Sequence, residues 1–492
     1  MVTPTFKDPE IIRKGALING EWITEGPKFD VTDPATGEVI AQLPDQSIES
    51  VDKAIDVAYD AFKTFKNTTP RQRSQWLRNL FDLMTEYNED LGKIVSWENG
   101  KSLAEGKGEV KYGASYFEWY AEEAPRAYGH TIQPATPTNR AFTVKQPVGV
   151  CGIITPWNFP SAMITRKAGA ALAAGCTVVI KPDAQTPLSA LALGYLAEKA
   201  GFPKGVFNIV LSQSKTPEFG LKLCESPKIK KISFTGSTNV GKILMKQSAS
   251  TLKKLSFELG GNAPLLIFKD ANLENAVEQA VASKFRGLGQ TCVCANRIYV
   301  QKDILDQFVT KFHERVSKFT IGHGLDEGTT HGCMINTKAL SKVEEHVQDA
   351  VSKGAQIIAK GGRRTDLGET FYEPTILSQV TQDMKVAKEE TFGPLAAIIP
   401  FDTPEQVVSW ANDVDVGLAS YVFSENYATL YSVSEALETG MVSCNTGIFT
   451  DCAIPFGGVK ESGFGREGSL YGLDDYMVIK VVNLGNIPKL QV

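Results

Sequence analysis

The stretch "VGVCGIITPWNFPSAMITRKAGAALAAGCTVVIKP", residues 148–182, decides the fold of this chain. It opens with a short apolar strand, continues into a helix rich in small residues, "SAMITRKAGAALAAG", and ends in a second apolar strand, "CTVVIKP". Two strands that are joined by a helix pair in parallel through a right-handed crossover. The stretch therefore predicts an α/β fold with a parallel sheet, and ligands of such sheets bind at the carboxyl ends of the strands.

The alternation of strands and helices extends well beyond this stretch. It continues through "VFNIVL", "KKISFTG" and "KKLSFELGG" to about residue 258, and a second alternating run covers about 265–445. We therefore expect two α/β lobes, preceded by short strands in 15–45 and helices in 47–125. The strand "DYMVIKVVNLG" near the C-terminus is expected to pair with a β-prone excursion at 127–147 or with another subunit.

The composition excludes several classes of function. The chain has 492 residues, of which 42% are hydrophobic and 22% charged, and its net charge is −5. Because it has no long basic run, neither nucleic acid nor an anionic membrane is an expected partner. The N-terminus lacks the apolar core of a secretion signal, and no apolar run is long enough to span a bilayer. Eight scattered cysteines are typical of a protein in the reducing cytoplasm.

A glycine motif at residues 236–243, "GSTNVGKI", begins like a phosphate-binding loop. Such a loop needs Ser or Thr after the lysine, but Ile243 follows Lys242, so ATP hydrolysis is disfavoured. Gly236 and Ser237 still open a helix directly after a strand, where backbone N–H groups can face a phosphate. A plain glycine turn explains the same spacing equally well.

The stretch "RGLGQTCVCANR", residues 286–297, holds two cysteines one residue apart. A structural zinc would need four ligands, and the sequence nearby offers no partner motif, so no metal is expected. A glycine-flanked turn after a helix can lower the pKa of a thiol, which makes Cys292 a candidate nucleophile. The alternative is a buried and inert cysteine.

Seven motifs together resemble the aldehyde dehydrogenase superfamily, and they occur in the family's order over nearly the whole chain. They are "PWNFP" (156–160), "IKP" (180–182), "FTGS" (234–237), "FELGG" (257–261), "GQTC" (289–292), "EETFGP" (389–394) and "PFGGVKESGFGRE" (455–467). The resemblance implies three parts in each subunit of a homodimer or homotetramer. These are a Rossmann-type coenzyme-binding domain (1–125 and 148–257), an α/β catalytic domain (258–465) and an oligomerisation β-flap (126–147 and 474–492).

The resemblance also assigns catalytic roles that fit the chemistry of aldehyde oxidation. A thiolate that adds to the carbonyl gives a thiohemiacetal, whose oxyanion can expel a hydride, and water then opens the resulting thioester. Cys292 would be the nucleophile and Glu258 the base that activates water, while Asn158 and the Cys292 N–H would donate to the oxyanion. Apolar neighbours are expected to raise the pKa of Glu258. Without the resemblance, a surface glutamate and a turn-forming asparagine would explain Glu258 and Asn158.

The coenzyme contacts implied by the resemblance are Trp157, Lys181, Gly236, Ser237, Glu390 and Phe392. Lys181 would reach the adenine ribose and Glu390 the nicotinamide ribose. NAD-preferring members usually carry a glutamate three residues after this lysine, but here the residue is Ala184. A carboxylate would repel the 2′-phosphate of NADP, whereas alanine leaves room for it. We therefore predict that NADP is preferred and that NAD is a second acceptor, unless Asp183 restores selectivity for NAD.

Two arginines predict an anionic substrate. Arg286 precedes Cys292, and Arg166 lies on the helix after Asn158. Because an unpaired buried guanidinium is costly, a carboxylate that pairs with both cations suits this site. "ITRKAGAALAAG" and "FRGLGQTCVCANR" resemble the branch of the family that oxidises succinate semialdehyde, and Thr450 would add a hydroxyl contact. The alternative is that each arginine forms a structural ion pair.

The sequence therefore predicts a cytoplasmic NAD(P)-dependent dehydrogenase that oxidises succinate semialdehyde to succinate, as in 4-aminobutyrate degradation. The alternatives are an enzyme for glutarate semialdehyde or another short anionic aldehyde, a nucleotide-binding scaffold without catalysis, and a thioester hydrolase without coenzyme. Cys294 is either passive or a partner of Cys292 in a reversible disulfide that would switch the enzyme off.

Overall fold

The computed structural model describes residues 3–488. Its strands are β1 Ala16–Ile18, β2 Glu21–Ile23, β3 Lys28–Thr32, β4 Val39–Pro44, β5 Thr131–Ile132, β6 Arg140–Pro147, β7 Val150–Ile154, β8 Thr177–Lys181, β9 Phe207–Ile209, β10 Ile229–Thr235, β11 Lys254–Glu258, β12 Ala263–Ile267, β13 Ala295–Gln301, β14 Gln356–Ala359, β15 Gly362–Arg363, β16 Tyr372–Glu373, β17 Thr375–Ser378, β18 Leu395–Phe401, β19 Val416–Gly417, β20 Ala419–Phe423, β21 Met441–Cys444, β22 Val459–Lys460, β23 Gly463–Phe464 and β24 Met477–Leu484.

The helices fill the connections between these strands. They are α1 Ile48–Phe65, α2 Pro70–Glu86, α3 Asn88–Asn99, α4 Leu103–Glu123, α5 Ala162–Ala174, α6 Leu188–Lys199, α7 Thr216–Glu225, α8 Thr238–Ser248, α9 Leu273–Phe285, α10 Leu305–Val316, α11 Thr337–Ser352, α12 Lys385–Lys388, α13 Pro404–Asn412, α14 Tyr427–Ala436 and α15 Ser469–Asp474. Among residues 3–488, no helix combines the length and apolar character needed to cross a bilayer.

The first sheet has eight strands in the order β2-β1-β9-β8-β7-β10-β11-β23. Its five central strands, from β9 to β11, pair in parallel, and β7 and β8 are neighbours with α5 as their crossover. The parallel α/β unit that residues 148–182 predict is therefore confirmed. All residues of α5 are buried, which explains its small side chains, because the helix is enclosed on all sides.

The second sheet has seven strands in the order β14-β17-β18-β13-β12-β20-β21. Its strands pair in parallel, except that β14 is antiparallel to β17 at one edge. It corresponds to the second alternating run of the sequence. Apolar clusters of buried residues pack against this sheet as they do against the first one.

A third, three-stranded sheet stands apart from the two large sheets. Strand β24 pairs antiparallel with β6 from Met477–Pro147 to Leu484–Arg140, and β5 pairs with the same strand from the other side. The structure thus joins the C-terminal strand to the excursion at 127–147. We call β5, β6 and β24 the flap. Residues 489–492, the end of the predicted segment 474–492, lie outside the described residues, as do residues 1 and 2 of the predicted coenzyme domain.

Candidate active site

Four parallel strands of the first sheet end at the same edge, and each end carries a predicted site residue. Asn158 follows β7, Lys181 is the last residue of β8, Ser237 follows β10, and Glu258 is the last residue of β11. The carboxyl ends of parallel strands form the usual ligand-binding edge of such sheets. The second sheet brings the Cys292 loop to this edge, because α9 and β13 flank it.

A cavity of about 220 Å³ lies beside the Cys292 loop. Its lining includes four predicted residues, namely Cys292, Arg166, Arg286 and Thr450, together with the rings of Phe159 and Phe456. Glu258 and Asn158 do not line this cavity, although both are buried. The lining also includes Glu105 and an ion pair of 2.6 Å between Lys101 and Glu109. The chamber is therefore small and combines aromatic rings with two guanidinium groups and other charged side chains.

The loop that carries Cys292 has a strained backbone. Helix α9 ends at Phe285, and three successive residues, Gly287, Leu288 and Gly289, then adopt positive φ angles of 57°, 55° and 76°. A Cβ atom at Gly289 would lie only 2.3 Å from the carbonyl oxygen of Gly393. The glycine that opens "GQTC" therefore has a packing reason, since a side chain at position 289 would collide with the backbone of Gly393.

The thiol of Cys292 lies in a medium that disfavours charge. Burial, followed by the nearby carboxyl of Glu390, raises the pKa of Cys292 to about 12, and only Arg166 opposes this shift appreciably. The expectation that the turn itself lowers the pKa of the thiol is wrong, because burial dominates. The thiol is neutral at pH 7 and needs a base to become a nucleophile.

Asn158 lies next to the Cys292 loop. Its Nδ2 donates a hydrogen bond of 3.1 Å to the carbonyl oxygen of Gln290, which leaves the second N–H of the amide available. The backbone carbonyls before it are also held, since Asn99 Nδ2 donates to Trp157 O and Lys101 Nζ to Asn158 O. The geometry therefore permits Asn158 to donate to an oxyanion formed at Cys292.

Glu258 is a buried carboxyl group with 3% relative exposure, and its Oε2 has no hydrogen-bond partner among the described residues. Burial, and then the charge of Glu467, raises the pKa of Glu258 well above its usual value, while Arg166 and Lys167 oppose the shift. The direction agrees with the expectation from its apolar neighbours. A carboxyl group whose pKa is raised in this way holds a proton more strongly than an exposed glutamate and is a stronger base when it is ionised.

Glu467 was missed as a functional candidate, although it ends the motif "PFGGVKESGFGRE". It accepts a 2.7 Å hydrogen bond from Arg166 Nε and a further one from Lys167 Nζ. Arg166 thus forms the structural ion pair that was the alternative reading. Its Nη2, however, has no partner among the described residues, and its guanidinium lies 3.9 Å from the Phe456 ring centroid on the cavity wall. Arg166 combines both roles.

Arg286 differs from Arg166 in how it is held. Within residues 3–488 it forms no ion pair, and its guanidinium lies 5.5 Å from the ring centroid of Phe159. Thr450 lines the same cavity. A small anion in this chamber would therefore find one cation with a free donor, a second unpaired cation and a hydroxyl group.

The predicted coenzyme residues also lie at this edge. Ser237 caps α8, with its hydroxyl accepting from Val240 N at 3.4 Å, and Gly236 N donates to the carbonyl oxygen of Glu258. Lys181 is buried without a bonded carboxylate in the described chain, and burial lowers its pKa. A buried ammonium and an exposed helix N-terminus at the same edge of the sheet fit a phosphate-bearing dinucleotide. Ala184 is half-buried and follows Lys181 in the same loop.

The motif "EETFGP" lies close to the glycines that follow Glu258. Glu390 Oε1 accepts a 3.3 Å bond from Gly261 N, and burial raises the pKa of Glu390 to about 7. Phe392 has a positive φ of 55°, and its ring stands edge-on to Trp157 at 5.6 Å. Gly261 also touches the nucleophile loop, because an added Cβ would lie 2.6 Å from Cys292 O. The sequence analysis assigned no role to Gly261.

Cys294 lies outside the cavity. It is 1% exposed, and its thiol lies 3.5 Å from the carbonyl oxygen of Lys284. A disulfide with Cys292 would require the thiol to leave this position, so the redox switch stays a prediction. Within residues 3–488, no group of three or more His, Cys, Asp or Glu side chains is arranged to hold a metal ion.

Comparison with known proteins adds an independent line of evidence. Residues 22–482 match the model of the aldehyde dehydrogenase family. The succinate-semialdehyde dehydrogenase [NADP(+)] of Saccharomyces cerevisiae is 67% identical over 99% of this chain and 98% of its own length. The glutarate-semialdehyde dehydrogenase of Pseudomonas aeruginosa is 50% identical over 98% of this chain and its full length. An NADP-dependent enzyme of E. coli superposes with a TM-score of 0.96 at 49% identity, covering 98% of this chain and all of the other.

Proposed function

The chain belongs to the aldehyde dehydrogenase family, and from that premise we propose that it oxidises succinate semialdehyde to succinate with NADP as the preferred coenzyme. The observation that carries the proposal is the chamber beside Cys292, which holds two guanidinium groups, Arg166 and Arg286, and the hydroxyl of Thr450. The relatives from S. cerevisiae and P. aeruginosa, which are named for anionic semialdehydes, support it.

The reaction begins on the sulfur of Cys292. Because the thiol is neutral, its proton must pass to a base as the S–C bond to the aldehyde carbon forms, and Glu258 is the buried carboxyl suited to take it. The resulting oxyanion accepts hydrogen bonds from Asn158 Nδ2 and the Cys292 backbone N–H. NADP, when bound, supplies the hydride acceptor. Glu258 must release its first proton to solvent before it can act as a base again. Its carboxylate then takes a proton from the water that attacks the thioester, the C–S bond breaks, succinate leaves and the Cys292 sulfur regains its proton.

The two arginines explain why a carboxylate tail is favoured over an apolar one. Arg166 Nη2 lies on a buried side chain without a partner among the described residues, and leaving such a donor unpaired costs about 1 to 3 kcal/mol or more. A carboxylate satisfies this donor and the free cation of Arg286, whereas an alkyl tail satisfies neither. Substrate binding therefore selects for charge.

Ala184 supports the coenzyme preference. It lies in the loop after β8, close in sequence to the buried Lys181, and its methyl group brings no charge to this edge of the sheet. A 2′-phosphate placed there meets an ammonium and no glutamate at position 184. The relatives from S. cerevisiae and E. coli are named for NADP.

Glutarate semialdehyde is the second candidate substrate, because a relative at 50% identity is named for it. It carries the same aldehyde and carboxylate with one more methylene. The charged groups of the cavity of about 220 Å³ do not distinguish succinate semialdehyde from glutarate semialdehyde. The difference is one of length, and one methylene in a pocket changes selectivity by about 10- to 200-fold.

A matrix of coenzymes and aldehydes tests the proposal. The rows are succinate semialdehyde, glutarate semialdehyde, butanal and pentanal, the columns are NADP and NAD, and the signal is the absorbance of the reduced nicotinamide. We expect the highest kcat/KM for succinate semialdehyde with NADP, and far lower values for the neutral aldehydes. A higher value for butanal than for succinate semialdehyde would refute the anionic substrate, and a higher value with NAD would refute the coenzyme preference.

We further propose that the flap joins subunits into a homodimer or homotetramer, and that residues 1–125 with 148–257 form the coenzyme domain and 258–465 the catalytic domain. Exposed apolar side chains on the flap support the first proposal. The two separate large sheets support the second. A location in the cytoplasm rests on the scattered free cysteines and stays a prediction.

A further inference from the structure

Glu105 connects two parts of the site that are far apart in the sequence. It lies in the first turn of α4, and its Oε1 accepts a 2.7 Å hydrogen bond from the backbone N–H of Gly287, in the turn between Arg286 and Cys292. Its other oxygen, Oε2, accepts from the backbone N–H of Ser102 at 3.2 Å and completes a capping box. Both oxygens of this carboxylate are therefore engaged by N–H donors.

The turn that Glu105 contacts lies beyond the end of helix α9. The helix ends at Phe285, and Gly287 and Leu288 then take left-handed conformations, which are costly for leucine. Without helical hydrogen bonds in this segment, the Gly287 N–H depends on an acceptor from elsewhere in the fold. Glu105 provides that acceptor and defines where the turn lies relative to α4.

Arg286 is held by fewer contacts than Arg166, so its position depends on the turn that follows it. Arg166 sits within α5 and is bonded to Glu467, so both its backbone and its side chain are held. Arg286 caps the end of α9 and has no ion pair within residues 3–488. Its position in the cavity is therefore set mainly by the backbone on either side of it, and Gly287 is the next residue.

We propose that Glu105 is a positioning residue for substrate selectivity: its bond to the Gly287 N–H holds Arg286 where it can receive the substrate carboxylate. The inference rests on the proposed function, since it concerns how that site recognises an anionic aldehyde. Glu105 acts through Arg286 and not through its own charge. A small displacement of a positioned group is sufficient to change catalytic efficiency by up to about 100-fold.

Two substitutions separate the hydrogen bond from the charge. E105D keeps the carboxylate but shortens the side chain by one methylene, so it cannot span the distance to Gly287 N from the same helix position. E105Q loses the charge and keeps one acceptor oxygen of the same reach, which can still accept from Gly287 N–H, while its Nε2 replaces the oxygen that accepts from Ser102 N–H. S102A is the matched control, because it removes the other half of the capping box and leaves the Gly287 bond in place.

The measurement is KM and kcat for succinate semialdehyde and for butanal with saturating NADP. We expect E105D to raise KM for succinate semialdehyde about 10-fold or more and KM for butanal less than about threefold. S102A should stay close to the parent on both aldehydes, and E105Q should raise KM for succinate semialdehyde less than E105D does. Equal losses on both aldehydes with E105D, or a larger loss with E105Q than with E105D, would overturn the proposal.

A double mutant shows whether the effect passes through Arg286. If it does, E105D combined with R286A should be no worse on succinate semialdehyde than R286A alone, because the coupled sites are not additive. Additive losses would contradict the proposal.

Hydrogen exchange of the amides in 287–292 gives a readout that needs no turnover. E105D should speed exchange there relative to S102A. Unchanged exchange would show that the hydrogen bond between Glu105 and Gly287 N–H does not hold the turn. If the parent does not oxidise succinate semialdehyde, the proposed function fails, and the exchange result still decides whether Glu105 holds the turn.

Discussion

At the scale of single residues, burial controls the chemistry of this site. Both the Cys292 thiol and the Glu258 carboxyl have raised pKa values, in each case mainly because water is excluded. Burial therefore disfavours the charged form of both groups, and the charge of Glu258 further raises the pKa of the Cys292 thiol.

Replacing Glu258 should slow both halves of the reaction. In E258Q, the glutamine cannot take a proton from Cys292 or from water, so we expect steady-state turnover to fall by about 100-fold or more. Mass spectrometry of the protein mixed with succinate semialdehyde and NADP, then quenched, should detect one added succinyl group on the peptide that contains Cys292. A C292S variant, which lacks the thiol, is the control. No adduct in the parent enzyme quenched during turnover would argue against the covalent route, and an E258Q turnover within about tenfold of the parent would argue against Glu258 as the base.

The raised pKa of Glu258 also predicts a pH dependence. The carboxylate is the active form of the base, so activity is present above its folded-state pKa and is lost as pH falls through that value. Because burial raises the pKa of Glu258 well above its ordinary value, the loss should begin at a higher pH than it would for an exposed glutamate. Single-turnover hydrolysis of the thioester between pH 5 and pH 9 measures it, and a rate independent of pH over this range would contradict the assignment.

The residue at position 184 should decide the coenzyme. An A184E substitution places a carboxylate next to the expected 2′-phosphate, and two like charges at this distance should raise KM for NADP about tenfold or more. KM for NAD should change less than about threefold. A184Q, which has nearly the same shape without the charge, is the matched control. A loss of NADP affinity in A184Q equal to that in A184E would indicate steric exclusion and not repulsion.

At the scale of elements, the loop after α9 has a strained backbone and carries the nucleophile, Cys292. Gly287 and Gly289 both have positive φ, but only Gly289 is confined, since its Cβ position lies 2.3 Å from Gly393 O. At Gly287 the nearest atom to an added Cβ is 3.8 Å away. The two glycines thus form a natural pair for separating strain from crowding.

We expect G289A to be much more damaging than G287A. G287A should lower the free energy of unfolding by about 1 kcal/mol, because alanine disfavours the left-handed conformation. G289A must also displace the backbone of Gly393, so its loss should be about 3 kcal/mol or more. Urea denaturation followed by circular dichroism gives the stability of each variant, and the rate of Cys292 alkylation reports on the loop. Similar losses in the two variants would mean that crowding at Gly289 is relieved by the fold.

At the scale of the whole molecule, the flap is the element that a single subunit does not explain. Its long strand β24 exposes apolar side chains on both faces: Ile479 (71%) and Val481 (62%) on one face, and Val478 (45%) and Leu484 (48%) on the other. A three-stranded sheet with apolar side chains exposed to water on both faces is unfavourable on its own. Contact with another subunit would bury these side chains.

Charges on the flap should therefore weaken assembly. I479D with V481D should convert the oligomer to a smaller species, while K480Q on the same strand should leave the mass unchanged. Light scattering after size-exclusion chromatography measures the mass of each variant. An unchanged mass for the double variant would show that the flap does not join subunits.

Much of this architecture follows from local patterns. The apolar strands and the small-residue helix of residues 148–182 predict a parallel unit, because side-chain periodicity and size are local properties. The motifs likewise brought attention to Cys292, Arg166, Arg286 and Thr450, which the structure places at one cavity. Short motifs succeed here because each is held at the end of a strand whose position the sheet determines.

The state of each group, in contrast, depends on residues far away in the chain. Arg166 is paired with Glu467, 301 positions later, and Glu105 reaches Gly287 across 182 positions. No residue pattern near Cys292 in the sequence predicts the burial that raises the pKa of its thiol. The sequence by itself determined the order of elements and the reactive side chains. Only the tertiary structure decided their charges, partners and orientation, because solvent exclusion and ion pairing arise from contacts between distant segments.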